Sequence, residues 1–344
     1  MTEIFGTLGP ACAQADQIEK MFAEGMTGMR LNLSHGGLKE SEPLIRSFHQ
    51  AAQRAGIRPE LLIDMQGPEI RIGDLPVPLQ LKEGREAVLA AFVSDRKAQA
   101  AEPGTYVIPV AEHILSVLEE GSHVLLDDGK LELVVTDAKQ KDSVQRVLTS
   151  VLRGGVLYQR KSLKVAGRQI PAPVMTVQDR ENIRLAREYG VTALMQPFVT
   201  EGAQLSEVRQ ELLENGMGQL RLFAKIENCA GIEHMKDIMP FADMIVIARG
   251  DLGNDMPLWK LPAAQKYLSD LCKDHGKPFL VVTQLLASMT EHPYPTRAEV
   301  SDIFHAVTDG AAAVMVTNET AVGKYPVEVI RYLKKTVQEA EAWK

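Results

Sequence analysis

Short apolar runs alternate with amphipathic stretches along almost the whole chain. The runs cover residues 4–8, 29–33, 61–64, 191–195, 220–226, 244–248, 279–283 and 312–316. Each is short, mostly apolar and often β-branched, the pattern of a strand buried on both faces. Between them the helical period holds over residues 17–23, 40–55, 179–189, 206–214, 263–274 and 327–342. The last of these sets Ile330, Leu333 and Val337 on one face and charges on the other. Gly25, Gly56, Gly190 and Gly276 stand just after four of the segments, where helix C-termini favour glycine. Eight strands, each with a helical or helix-like partner, predict an α/β protein built as a (β/α)8 TIM barrel. The rival, an open doubly wound sheet, would carry a glycine-rich phosphate turn after an early strand, and none is found.

The pattern breaks once, between Gly73 and about Lys161, where the helical period fades and short alternating runs such as 131–135 take over. Asp128-Gly129 sits between two such runs, a hairpin signal. The expected organisation is a barrel from residues 1–72 and 162–344, interrupted after the third strand by a small β-rich domain over residues 73–161. The chain stops with the eighth helix, so no further C-terminal domain is expected.

Composition narrows the class. The 344 residues are 45% hydrophobic and 24% charged, enough to bury a large core, which excludes disorder and collagen-like repeats. The net charge of −7 gives no global positive field to draw in nucleic acid. Cys12, Cys229 and Cys272 are odd in number and form no CxxC pair, which fits a reduced compartment. No apolar run approaches the roughly 18 residues of a membrane span, and MTEIFGTLGP has no leader pattern. A soluble cytoplasmic protein without a membrane partner is expected.

In a barrel the residues after each strand converge on one mouth, where the chemistry is found. The second strand runs into Arg30, Asn32, Ser34 and His35, and the third into Asp64, Glu69 and Arg71. The fifth offers Lys225, Glu227 and Asn228; the sixth, Arg249 and Asp251; the seventh, Thr283 and Gln284; the eighth, Asn318 and Glu319. Glu227 and Asp251 suit a hard divalent ion such as Mg²⁺ or Mn²⁺ held by few protein ligands. Arg30, Arg71 and Lys225 add more positive charge than two carboxylates need, pointing to an anionic substrate, phosphate or carboxylate. The bland alternative is a buried salt-bridge network among Lys225, Glu227 and Arg249. No GxxxxGK[ST] or HExxH motif occurs, Ser34 lacks a GxSxG elbow, and Cys229 has no nearby histidine.

At these residues the sequence resembles the pyruvate kinase family. The matching segments are Met29-Arg30-Leu31-Asn32-Leu33-Ser34-His35-Gly36, Asp64 with Gly67-Pro68-Glu69-Ile70-Arg71, and Asp127-Asp128-Gly129. They continue through Ala224-Lys225-Ile226-Glu227-Asn228, Ala248-Arg249-Gly250-Asp251-Leu252-Gly253 and Thr283-Gln284. Pro295-Thr296-Arg297-Ala298-Glu299-Val300-Ser301-Asp302 and Gly323-Lys324-Tyr325-Pro326-Val327-Glu328 close the series, in family order. The resemblance implies phosphoryl transfer between phosphoenolpyruvate and ADP, giving pyruvate and ATP. It implies Glu227 and Asp251 as Mg²⁺ ligands, and Lys225 as the charge neutraliser, assisted by Arg30 and Arg71. Ala248, Arg249, Gly250 and Asp251 would hold the substrate carboxylate, and Thr283 would sit by the enol carbon. Asn32, Ser34, Asp64 and Met65 would take K⁺, with Glu69 marking the K⁺-dependent branch. Asn32, His35, Arg71 and Lys161 would face the nucleotide, and the inserted domain would act as a lid. Absence of the family's regulatory C-terminal domain implies a homodimer through the barrel and no sugar-phosphate activation.

The departures fall on one side. Met65 and Gln66 replace a usual Thr-Lys, Pro197 a serine that supports the lysine, and Lys164 a nucleotide-contacting asparagine. Thr317-Asn318-Glu319-Thr320 stands for Ser-Gly-Glu-Thr. Two other readings therefore stay open. One is a nucleotide-independent Mg²⁺ enzyme of 2-oxo acids, an oxaloacetate decarboxylase or aldol-type lyase. The other is a non-catalytic protein that binds phosphoenolpyruvate or pyruvate.

Overall fold

The computed structural model of the chain describes residues 1–67, 70–91, 105–127, 129–138, 146–167, 170 and 172–343, with His35 as backbone only. The eight apolar runs form eight parallel strands: Glu3–Thr7, Gly28–Asn32, Glu60–Asp64, Ala193–Gln196, Arg221–Ile226, Met244–Ala248, Phe279–Val282 and Ala313–Met315. They close into a barrel in chain order, the first strand pairing with both the second and the eighth. The chain divides into two units, Met1–Pro68 with Val174–Lys344, and Glu69–Pro173. These joins lie a few residues before, and about a dozen after, the 72/73 and 161/162 positions read from the sequence.

Strand geometry gives the barrel two apolar layers, since alternate side chains point inward and outward. Phe5, Leu62, Met195, Phe223, Val246, Leu280 and Met315 fill the interior, and the rings of Phe5 and Phe223 meet edge to face at 6.5 Å. The outward set, including Ile4, Leu61, Leu222, Ile245 and Val314, is buried under the helices. The helix Glu42–Ala55 buries Ile45, Phe48, Ala51 and Ala52, a stripe at helical spacing, and ends at Gly56 with φ +65. The helix Arg297–Thr308, absent from the periodic segments of the sequence, starts on a capping box between Thr296 and Glu299. Short helices Cys229–Glu233, Arg249–Asp255 and Asn318–Ala321 follow the fifth, sixth and eighth strands.

The second unit, taken by itself, is β-rich. Six strands run in the order Leu163–Val165, His123–Leu126, Leu131–Asp137, Arg146–Arg153, Glu86–Ala91 and Tyr106–Val110. Leu79–Leu81 pairs with Gly155–Leu157 as a separate two-stranded ribbon. Leu89, Ile108, Val124, Leu126, Leu133 and Val151 form its own core. The expected hairpin is there: His123–Leu126 pairs antiparallel with Leu131–Asp137, and the turn holds Asp127 at φ +48 and Gly129 at φ +79. Asp128 itself lies outside the described residues, as do Pro68 and Glu69. Among the described residues no helix is long and apolar enough to cross a membrane.

Candidate active site

The charged cluster is the top of the interior stack. Two residues beyond inward-facing Leu62 comes Asp64, and beyond Phe223 come Lys225 and then Glu227, each on the same strand face. On the second strand Arg30 and Asn32 keep that phase, and Asn32 stands directly opposite Asp64.

Asp64 is the centre. Its Oδ2 accepts from Arg30 Nε at 2.8 Å and Nη2 at 2.6 Å, and both its oxygens lie 3.3 Å from Lys225 Nζ. The same ammonium reaches Glu227 Oε1 at 2.9 Å, while Glu227 Oε2 accepts from the backbone N–H of Phe198 at 2.8 Å. Phe198 makes that contact from a left-handed backbone, φ +54, a conformation that non-glycine residues hold only where the surroundings impose it. The network therefore contains Lys225 and Glu227 with Asp64 and Arg30; Arg249 takes no part in it.

The three buried ionisable groups respond differently. Burial alone would raise the Asp64 carboxyl, but Lys225 and Arg30 outweigh it and hold Asp64 below the usual carboxylate range. Burial opposes the charge on Lys225, yet Asp64 and Glu227 more than compensate, so its pKa is raised and it stays an ammonium. Glu227 goes the other way: burial pushes it up, Lys225 opposes, and the nearby carboxylates of Asp251 and Asp64 add to the rise. Glu227 and Asp251 thus stand close enough for one carboxylate to raise the other. Two hard oxygen donors in that condition fit a divalent cation such as Mg²⁺.

The other half of the mouth is arranged around backbone. Arg249 Nε and Nη2 both donate to the Thr283 carbonyl, at 3.1 and 2.5 Å, and Nη1 reaches Asp302 Oδ2 at 2.6 Å. Thr283 and Gln284 sit at φ +81 and +56. Gly250 lies beneath, where an added Cβ would stand 3.1 Å from Thr283 Cγ2. Buried Glu319 accepts from the N–H groups of Thr317 at 2.7 Å and Leu286 at 3.3 Å, a role inside the fold. Asp302 closes the longest matching segment, and the fold gives it the task of holding Arg249.

Ser34 N donates to Asn32 Oδ1 at 3.1 Å, and Met65 is buried with its N–H on Met195 O. Arg71 and Lys161 both belong to the second unit, whereas the sequence places Arg71 at the end of the third barrel strand. There Arg71 Nη1 donates to Arg160 O at 2.8 Å, and Lys161 pairs with Asp127 at 2.8 Å. The side chain of His35 lies outside the described residues.

The model of the pyruvate kinase barrel domain matches residues 1–330. The chain belongs to the pyruvate kinase family. Pyruvate kinase of Geobacillus stearothermophilus is 34% identical over 344 residues, 99% of this chain and 57% of that protein. Pyruvate kinase of Staphylococcus aureus (strain MRSA252) is 34% identical over 342 residues, with the same coverage of each. The chain spans 57% of the length of these relatives.

Against the pyruvate kinase motifs, the departures have local accommodations. Pro197 packs against Gly67 so closely that a Cβ there would meet its Cγ at 2.3 Å, and Gly67 adopts φ +58. Gln66 turns its amide to Leu33 O at 3.0 Å. Lys164 lies in the strand Leu163–Val165, opposite Leu125.

Proposed function

We propose that this chain transfers the phosphoryl group of phosphoenolpyruvate to ADP, forming pyruvate and ATP, with Mg²⁺ and K⁺. The observation that carries the reading is Lys225, a buried ammonium held between Asp64 and Glu227 beside Arg30. Phosphoryl transfer needs mainly fixed positive charge and positioning in a site of low dielectric.

In this reading Glu227 and Asp251 hold Mg²⁺, which supplies Lewis-acid polarisation of the phosphoryl oxygens when bound. Lys225 neutralises charge on the moving phosphoryl group, and Arg30, locked by two hydrogen bonds to Asp64, assists from a fixed position. The bond from phosphorus to the enol oxygen breaks as a bond to the ADP β-phosphate oxygen forms. The enolate left behind takes a proton at its methylene carbon, and we assign the delivery to the side of Thr283. The start of the helix at Ala248, Arg249, Gly250 and Asp251 orients the substrate carboxylate. Asn32, Ser34, Asp64 and Met65 are oxygen donors on adjacent strands and their loops, a donor set that suits K⁺. Asn32, His35, Arg71 and Lys161 are the residues assigned to the nucleotide in this reading.

The test is pyruvate release from phosphoenolpyruvate with Mg²⁺ and K⁺, with and without a panel of nucleoside diphosphates. ADP-dependent release is expected. A second reading, nucleotide-independent turnover of a 2-oxo acid, draws on Gln66 and Pro197, whose side chains bring no charge to the mouth. Pyruvate formed from oxaloacetate without ADP, and none from phosphoenolpyruvate with it, would replace the first reading by the second.

A further inference from the structure

Two side chains of the helix Val177–Leu185 have no task in the chemistry above, yet both are fully buried one turn apart on one face: Asp179 and Asn182. Asp179 accepts four hydrogen bonds. Its Oδ2 takes the N–H and hydroxyl of Thr176, each at 2.8 Å, and the N–H of Gly67 at 3.0 Å. Its Oδ1 takes the N–H of Gln66 at 2.9 Å. One carboxylate thus caps its own helix and grips the loop after the third barrel strand.

Asn182 does the same for the neighbouring loop. Its Oδ1 accepts from Leu38 N at 3.0 Å, while its Nδ2 is buried without a hydrogen-bond partner among the described residues. Orienting a buried amide at that cost fits a side chain kept for its acceptor. Gly37 is enclosed by the same helix: a Cβ there would stand 2.7 Å from Gln178 Nε2 and 3.0 Å from Asn182 Oδ1. The two loops also touch each other, through Gln66 Nε2 on Leu33 O at 3.0 Å.

We propose that Asp179 and Asn182 are positioning residues. From one helix they set the relative placement of the loops that follow Asn32 and Asp64, and so the spacing of the oxygen donors offered to a monovalent cation. The inference rests on the cation reading given above for Asn32, Ser34, Asp64 and Met65. Its logic separates the two ends of Asp179. In Asp179→Asn the retained oxygen is drawn to the three donors at the Oδ2 position, which keeps the helix cap. The new amide then faces Gln66 N–H, donor against donor, and only the loop is released.

The test uses the full chain, with amide exchange followed by mass spectrometry and thallous ion binding followed by thallium NMR. Asp179→Asn is expected to speed exchange over residues 65–67 and to weaken thallous ion binding about tenfold, the effect of one lost buried hydrogen bond. Asn182→Ala is expected to speed exchange over residues 36–38. In both variants exchange in Met244–Ala248 should match the parent chain. Unchanged loop exchange in both variants would overturn the proposal, as would faster exchange spread equally into Met244–Ala248. Loosened loops in a chain whose parent takes up no thallous ion would support the clamp and sink the cation reading instead.

Discussion

The two halves of the barrel mouth use the same residue types for opposite ends. On the second, third and fifth strands, Arg30, Asp64, Lys225 and Glu227 face one another, ion to ion, and are largely buried. On the sixth to eighth strands, Arg249 and Glu319 are turned mainly onto backbone, holding Thr283 O and the amides of Thr317 and Leu286, with one nitrogen of Arg249 left for Asp302. A buried charge satisfied by another charge is sensitive to any third charge that arrives. One satisfied by a carbonyl or an amide fixes shape and responds much less. In the proposed reading the first half meets the moving charge, while the second, whose Asp251 completes the metal pair with Glu227, supplies the frame around it.

That contrast can be broken in order of expected effect. Lys225→Met should lower pyruvate formation by at least about 10²–10³-fold, because a fixed cation at the moving charge is lost. Manganous ion binding, read by electron paramagnetic resonance, should stay near that of the parent. Parent-like turnover would mean that the ionic half does no chemistry. Glu319→Ala should act on stability, lowering it by about 1–3 kcal/mol in urea titration as two buried amides lose their acceptor. The Michaelis constant for phosphoenolpyruvate should scarcely move; a large rise at unchanged stability would erase the distinction between the halves.

Smaller effects sharpen the picture. Arg249→Lys keeps the charge but loses the paired donation to Thr283 O, so turnover should fall by about fivefold to tenfold with the substrate constant nearly unchanged. A loss as large as that of Lys225→Met would move Arg249 into the ionic group. Pro197→Ser should change turnover by less than about threefold, because Glu227 is held by Phe198 N–H and Lys225 rather than from position 197. A tenfold gain would show that the replaced hydroxyl was limiting.

The barrel was legible because eight apolar runs repeat with helical segments between them, four closed by glycine, and the pattern breaks only once. Every run became a strand, with ends shifted by at most one or two residues. The short helices Cys229–Glu233 and Asn318–Ala321 were not, since five and four residues are too few to show a period. Site residues were visible by type and by motif, but their partners were not. Nothing in the spacing links residue 302 to residue 249, or 198 to 227, because those contacts exist only once the strands have closed. Arg249 shows the same limit: its charge suggests a network with Lys225 and Glu227, and the fold gives it the Thr283 carbonyl and Asp302 instead.

Closure itself has a cost in time. Glu3 of the first strand pairs with Ala313 of the eighth. At translation rates of about 5–20 residues per second, roughly 15–60 s separate the emergence of those two partners from the ribosome. Until then the first strand has one unpaired edge, and the row of ionic residues has no enclosing wall. The six-stranded sheet of the second unit, with its own core, has no such wait, and its hairpin between His123 and Asp137 can form as soon as it is made. Nascent chains of this protein should therefore pass through a period with the inserted unit structured and the barrel still an open sheet.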